Sequence, residues 1–298
     1  MSPSYTEPVI QFLAAPRPED VRTVGMALRY DPDAAEVLTR LMAPPLGRRH
    51  ALLATPGGDG VAAVSVSTRD PMVGHWDLLA VHPDARRRGL GRSLVAAGEE
   101  WFVRHGVRHA RMAGNPPCYG WPGIDVRYTA AACLAEDAGY TLTGTAWNMT
   151  VDLTVDLDSA ADERRLAGDG IQVQRAEDGL RGPAAAFALE HWGDTWAWEV
   201  EHASGCHVAV RDGAVLGFAA WGTRPHWFGP MGTAESARGL GIGAVLLRRC
   251  LQDLRATGAR SAEIGWVGPK RFYSLTVGAA VGRVFWQYGR DLPAGVAG

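Results

Sequence analysis

Arg86-Arg87-Arg88-Gly89-Leu90-Gly91 and Arg238-Gly239-Leu240-Gly241-Ile242-Gly243 are two copies of one pattern, R-x-x-G-x-G, set 152 residues apart (238 minus 86). The same offset, without a gap, carries Gly106-Val107-Arg108-His109-Ala110 onto Gly258-Ala259-Arg260-Ser261-Ala262, and Pro117 onto Pro269. A self-match of this period means two similar domains, and 298 residues is the length of two ordinary ones.

Working outward, each copy opens on an apolar strand (Ile10 to Leu13; Ile171 to Val173) and a helical stretch. Two alternating strands follow, Ala51 to Ala54 with Val61 to Val66 in the first copy and His207 to Val210 with Val215 to Ala220 in the second. Asp212-Gly213 between the latter pair signals a hairpin turn. A strand then enters the glycine cluster (Trp76 to Val81; Trp227 to Met231), and an amphipathic helix leaves it, marked by Leu90, Leu94, Ala97 and Trp101 or by Ile242, Leu246, Cys250 and Leu254. A short strand (Ala110 to Ala113; Ala262 to Trp266) and a helix-strand pair complete each unit. The fold class is therefore α/β (α+β), with a mixed central sheet flanked by helices, seen twice.

After Pro117 the offset falls to 139 (Gly278 against Gly139), so the first copy carries an insertion of about a dozen residues (152 minus 139). It is placed in the Pro-, Gly- and aromatic-rich Cys118 to Tyr128. Asp156 to Gly170 is acidic and alanine-rich, suiting a linker or short surface helix. The expected domains are residues 1–155 and 171–298, joined by 156–170.

Composition narrows the function. Thirty basic against 32 acidic side chains, a formal net charge of −2, give no global field for gripping nucleic acid or an anionic membrane. No apolar run is long enough to span a bilayer, and no leader pattern opens the chain. Four scattered cysteines show no metal spacing and no disulfide framework, which predicts a cytoplasmic protein without a metal site. Of 11 tryptophans, seven lie beyond residue 150, which points to an aromatic-lined cleft or an aromatic core in the second half.

A strand that ends in a glycine turn and enters a helix offers unpaired backbone N–H groups, at the positive end of the helix dipole, to a phosphate. Glycine allows close approach and arginine adds charge. Gly239-Leu240-Gly241-Ile242-Gly243-Ala244 also satisfies G-x-G-x-x-A, but a dinucleotide fold needs that turn after its first strand and an acidic residue ending the next strand. Here the turn follows several strands, and Glu263 lies inside its strand. A nucleotide-triphosphate loop, G-x-x-x-x-G-K-[ST], does not occur.

These residues resemble the GNAT N-acetyltransferases, whose pyrophosphate loop reads [QR]-x-x-G-x-[GA] after the fourth strand. Leu79-Ala80-Val81-His82-Pro83-Asp84-Ala85-Arg86-Arg87-Arg88-Gly89-Leu90-Gly91 matches closely, and Met231-Gly232-Thr233 leading to Arg238-Gly239-Leu240-Gly241-Ile242-Gly243-Ala244 matches again. The resemblance covers nearly the whole chain as a tandem and implies acetyl-CoA as co-substrate. Carried over by position, Leu79 and Val81, or Met231 and Thr233, hydrogen-bond the pantetheine arm. The amides of Arg88, Gly89, Leu90, Gly91 and Arg92, or of Leu240, Gly241, Ile242, Gly243 and Ala244, hold the pyrophosphate. Arg86, Arg87, Arg88 and Arg238 add charge for phosphate.

Attack of an amine on a thioester needs an unprotonated amine and an acid for the departing thiolate. The resemblance implies a Tyr on the helix after the fifth strand; Tyr273 stands there in the second domain and Ala135 in the first. The second domain is therefore expected to be catalytic, with the first degenerate or auxiliary. The base stays open. Asp77 fills the usual carboxylate place of the first domain, whereas the second has Gly229-Pro230-Met231 and leaves Glu263, Glu190, His191 or Asp194 as acceptors of the proton.

The acceptor pocket is expected around His191-Trp192-Gly193-Asp194-Thr195-Trp196-Ala197-Trp198-Glu199, with Glu190, His191, Asp194, Trp196 and Trp198 as lining and Trp121 and Asp125 from the insertion as further wall. Indoles beside carboxylates suit an amino sugar. The run Ile264-Gly265-Trp266-Val267-Gly268-Pro269, with Phe272-Tyr273 and Arg283-Val284-Phe285-Trp286, is similar to a bacterial tandem subgroup that includes glucosamine and glucosaminide N-acetyltransferases. The expected partner is a small-molecule amine, with the chain a monomer or homodimer. A mycothiol-synthase-like role and a non-catalytic CoA-responsive module are the alternatives.

Overall fold

The computed structural model describes residues 9–45, 47–177 and 179–293. They fall into two compact units: residues up to Ala146 together with those from Val284 onward, and Trp147–Arg283.

In unit 1, strand β1 (Gln11–Leu13) leads to helices α1 (Pro18–Ala27) and α2 (Ala34–Leu41), then to strands β2 (His50–Ala54), β3 (Gly60–Val66) and β4 (Val73–Val81). These four strands pair antiparallel in chain order. The small, apolar run Gly-Val-Ala-Ala-Val-Ser-Val of β3 is buried along its whole length, as a strand covered on both faces must be. Leu52, Val61, Ala63 and Leu78 pack on α1 and α2, while Leu53, Ala62, Val64 and Trp76 face the other way. That second face is covered by helix α3 (Leu90–Arg104) and, after β5 (His109–Met112) and the short β6 (Ile124–Asp125), by α4 (Thr129–Asp137).

Strand β7 (Thr141–Asp152) carries the chain into unit 2. There α5 (Ala160–Gly168) precedes β8 (Gln172–Arg175), α6 (Arg181–Trp192), α7 (Asp194–His202), β9 (Gly205–Arg211), β10 (Ala214–Trp221), β11 (Trp227–Thr233), α8 (Ile242–Ala256), β12 (Ser261–Ile264), α9 (Lys270–Val277) and β13 (Ala280–Asp291). Asp212 (φ 52°) and Gly213 (φ 80°) make the two-residue turn between β9 and β10, the positive φ pair that matches strand twist. Helices α6 and α7 cover one sheet face, and α5, α8 and α9 the other.

The repeat is exact in its central part: α3 and α8 have 15 residues each, and a 3-10 turn precedes each at Pro83–Ala85 and Glu235–Ala237. The compact units and the repeat copies nevertheless divide the chain differently. The seat beside β12 in unit 2 is taken by Met149–Asp152 of β7, which ends the first repeat. The seat beside β5 in unit 1 is taken by Tyr288–Asp291 of β13, which ends the second. The expected boundaries at 155 and 171 do not coincide with the division into units; the stretch between them belongs to unit 2, where Ala160–Gly168 is helical and Leu157 and Leu166 are buried in the core. The insertion lies in unit 1, where Ile124 and Asp125 pair with Trp286 and Phe285. Strand β12 stops at Ile264, short of the expected Trp266, which turns out at φ 44°.

Candidate active site

Each glycine loop adopts the same backbone path. Arg87 (φ 64°) and Gly89 (φ 83°) in unit 1 match Gly239 (φ 83°) and Gly241 (φ 85°) in unit 2, the second of each pair capping the helix. Such left-handed residues turn the chain so that the first-turn amides, which have no intrahelical carbonyl, face outward as an anion cradle. The amide of Ala244 is spent on the Gly241 carbonyl at 3.2 Å, which leaves Ile242 and Gly243 as the first-turn donors in unit 2. Gly239 has open space around it but a strained φ for any other residue, whereas a Cβ at Gly243 meets Met231 and Phe272 at ordinary distances of 3.4 and 3.5 Å. Gly239→Ala should therefore cost about 1 kcal/mol of stability, and Gly243→Ala should be neutral or gain up to about 1 kcal/mol. Urea unfolding of the two variants, read against wild type, checks the opposite signs.

The strand entering each loop is splayed from its parallel neighbour. β4 and β5 pair only from Val73 to His75, and β11 and β12 only at Trp227 and Phe228. Beyond these points Leu79 and Val81, and Met231 and Thr233, lie on lengths of strand without a partner on that side, where an extended ligand can add hydrogen bonds as a strand does. Both splays start at a bulge: Asp77 is skipped between β3 and β4, and Gly229-Pro230 stands at the irregularity between β10 and β11.

The loop arginines differ in employment. Arg86 donates from Nε to the Val81 carbonyl (3.2 Å) and from Nη2 to Ala27 (3.4 Å), so it fastens the strand end to α1. Arg92 pairs with Asp137 at 3.3 Å on the surface, and Arg238 with Glu235 at 3.3 Å. Arg87 and Arg88 are exposed.

Tyr273, on α9, is buried among Phe228 and Phe272, and burial pushes its hydroxyl up to about 12. Phe272 and Met231 both stand against Gly243, so the tyrosine sits one residue from the floor of the cradle. In unit 1 Leu134 makes the matching contact with Gly91, which makes Ala135 the positional counterpart of Tyr273. The larger Trp76, counterpart of Phe228, lies on Gly98 and donates to the Tyr140 hydroxyl at 2.8 Å.

Asp77 is the unusual carboxylate of unit 1. Its Oδ1 is buried without a hydrogen-bond partner, and desolvation pushes the group up to about 7 despite a hydrogen bond to Ser65 and the nearby Arg48 charge. Arg48 itself is held by the carbonyls of Cys118 (2.8 Å) and Pro116 (2.7 Å), and Asn115 donates to Ser65 at 2.8 Å.

Glu263 alternates to the face opposite Ala262 and Ile264, the two that share a core with Tyr273. It accepts a hydrogen bond from Asn148 Nδ2 and lies 3.8 Å from Arg283. Asn148, fully buried, also accepts the Trp266 amide at 2.8 Å and so fixes the turn after β12. Nothing in its local sequence marks this residue, because its role depends on β7 entering the second sheet.

Of the expected acceptor residues, Glu190, His191 and Asp194 are exposed around the α6–α7 junction. Trp196 stacks on Trp192 with centroids 5.3 Å apart, and Trp198 on His202 at 4.0 Å. Trp192, not Trp196 or Trp198, lies on the splayed strand: a Cβ at Gly232 would be 2.4 Å from its ring. Trp121 and Asp125 belong to unit 1, where Trp121 donates to Asp31 at 2.6 Å and Asp125 pairs with Arg127 at 2.6 Å. Among the described residues, no three His, Cys, Asp or Glu side chains gather as metal ligands, and no helix is long and apolar enough to cross a membrane.

A splayed strand running into a left-handed glycine cradle, built twice, defines an acyl-CoA-binding transferase fold, and the acetyltransferase (GNAT) family model matches residues 21–118 and 175–274. The chain belongs to the GNAT acetyltransferase family, as a tandem of two such domains, and acetyl-CoA is the acetyl donor that this family uses. It is 32% identical over 130 residues to a mycothiol acetyltransferase of Salinispora arenicola, a match covering 43% of this chain and 37% of that one. A second mycothiol acetyltransferase, of Thermomonospora curvata, is 29% identical over 275 residues, covering 86% and 84%. A glucosamine N-acetyltransferase region of a fungal multi-domain GH3 β-N-acetylglucosaminidase shares the fold with a TM-score of 0.74 at 19% identity, over 95% of this chain and 38% of that one.

Proposed function

We propose that the chain moves acetyl from acetyl-CoA to a primary amine of a small molecule, of amino-sugar or aminated natural-product type, by direct attack in a ternary complex in unit 2. The observation that carries this reading is Tyr273: a buried hydroxyl, pushed above its ordinary range by burial, one residue from a side chain that touches the glycine cradle. As acid it hands its proton to the departing thiolate of CoA. Glu263, steadied by Asn148 and Arg283, takes the amine proton through water in this reading. The aromatic lining of α6 and α7, with Trp192 laid on Gly232, supports an acceptor with a flat apolar face, and Glu190, His191 and Asp194 supply polar contacts at its edge. The relatives named above support an acceptor that carries glucosamine, free or within a mycothiol-type conjugate. The proposed setting is cytoplasmic.

Thiol release from acetyl-CoA, measured across glucosamine and the cysteinyl glucosamine–inositol amine, tests the reading. Release with at least one amine is expected, and Arg238→Ala should raise KM for acetyl-CoA several-fold. Binding of CoA with no release for any amine would leave a CoA-responsive binding module instead.

One observation favours a second reading, with the chemistry in unit 1. Burial pushes Asp77 up to about 7, toward the range a general base uses at neutral pH, and the residue stands at the bulge where the first splay starts. Asp77→Asn abolishes turnover only if that unit is the active one.

A further inference from the structure

We propose that Arg165, on helix α5, supplies the unit 2 loop with a cation for a phosphate group of the coenzyme, replacing in space the loop arginines that this copy lacks in sequence. This deepens the reading above and rests on its placement of acetyl-CoA in unit 2.

The two loops share a backbone path but not a charge. Where unit 1 has Arg86-Arg87-Arg88, unit 2 has Arg238-Gly239-Leu240, two cations fewer. Arg165 comes to this loop from a helix that lies 75 residues earlier in the chain. Its Nη2 donates to the Leu240 carbonyl at 2.9 Å, and a Cβ at position 241 would lie 2.6 Å from the same nitrogen. Gly241 thus has two reasons to be glycine: a left-handed φ of 85° and the guanidinium packed on it.

Helix α5 is clamped in place along α8. Asp162 pairs with Arg248 at 3.0 Å, Glu163 with Arg249 at 2.8 Å, and Gln252 donates to the Leu157 carbonyl at 2.7 Å. Leu157 and Leu166 are buried in the unit 2 core. The guanidinium itself is half exposed, with a weak 3.5 Å contact to Asp162. Nη2 is fixed on the loop carbonyl and packed on Gly241, the residue just before the first-turn amides of Ile242 and Gly243. A guanidinium held at one edge loses little entropy on binding phosphate.

Calorimetric titration of the full chain with CoA, dephospho-CoA and pantetheine tests this, using Arg165→Gln, Arg165→Lys and Gly243→Glu. Gly243→Glu places a carboxylate in the cradle and identifies the unit 2 site by its loss. Arg165→Gln keeps a donor for Leu240 but removes the charge; it should weaken CoA at that same site about tenfold at low salt, with unchanged pantetheine binding and thermal stability. Arg165→Lys should restore most of the affinity. A loss shared by dephospho-CoA assigns the contact to the diphosphate, and a loss seen with CoA alone assigns it to the ribose phosphate. Wild-type affinity in Arg165→Gln, or an equal loss for pantetheine, overturns the proposal for Arg165. CoA binding unaffected by Gly243→Glu overturns the placement of the coenzyme in unit 2, and the proposal with it.

Discussion

Tyr273→Phe should lower kcat for acetyl transfer by about 10²-fold or more, with KM for acetyl-CoA and the unfolding free energy nearly unchanged. The ring is what packs: it meets Phe228 at 6.1 Å and Phe272 at 5.1 Å between centroids, and phenylalanine keeps both contacts. Among the described residues the hydroxyl has no hydrogen-bond partner, so its removal breaks no bond in the resting protein. What is removed is an acid that burial holds near 12. A thiolate leaving without a proton donor slows the chemical step, not the binding of either substrate. Steady-state kinetics by thiol release, with a thermal melt of the same sample, separates these. Unchanged kcat in Tyr273→Phe removes the tyrosine from the mechanism, and loss of turnover in Asp77→Asn moves the chemistry to unit 1.

Asp77→Asn should make the protein more stable than wild type at pH 8 and leave it equal at pH 4. Burial raises the Asp77 carboxyl from the usual range near 4 to about 7 in the folded state. The folded chain therefore holds this proton more tightly than the unfolded one. The stability linked to it is complete below about pH 4, falls as pH rises through 7, and is fully lost above. Three pKa units correspond to roughly 4 kcal/mol. His75, which burial lowers to about 4, titrates in both proteins and cancels in the comparison, whereas the attraction between Asp77 and the Arg48 guanidinium is already part of the balance that leaves Asp77 at about 7. Asparagine keeps the shape and the Ser65 contact without the charge. Denaturant unfolding of both proteins at pH 4, 6 and 8 checks the sign; a difference that does not grow with pH refutes a buried, raised Asp77.

The strongest local signals in the sequence proved to be those whose structure is also local. The 3-10 turn, the left-handed pair and the 15-residue helix recur at one offset because a glycine's φ and a first-turn amide are set within a few residues. The type of turn at Asp212-Gly213 was equally legible, for the same reason. The tryptophans of α6 and α7 could be recognised as a group, but which of them covers the splayed strand could not. That depends on Gly232, 40 residues beyond Trp192, lacking a side chain where the ring arrives.

Sequence by itself determined that there are two similar halves, that each carries an R-x-x-G-x-G turn into a helix, and that Tyr273 of the second aligns with Ala135 of the first. All three follow from side-chain identity and short-range backbone preference. Tertiary structure alone decided that β7 and β13 each finish the sheet of the other repeat's unit, that Asn148 fastens Glu263 and Trp266, and that Arg165 arrives at Leu240. Two strands with the same pattern and length fit either sheet edge equally well by local preference. Only the packing of the whole chain selects which hydrogen bonds are made, and with them which distant residues become neighbours of the site.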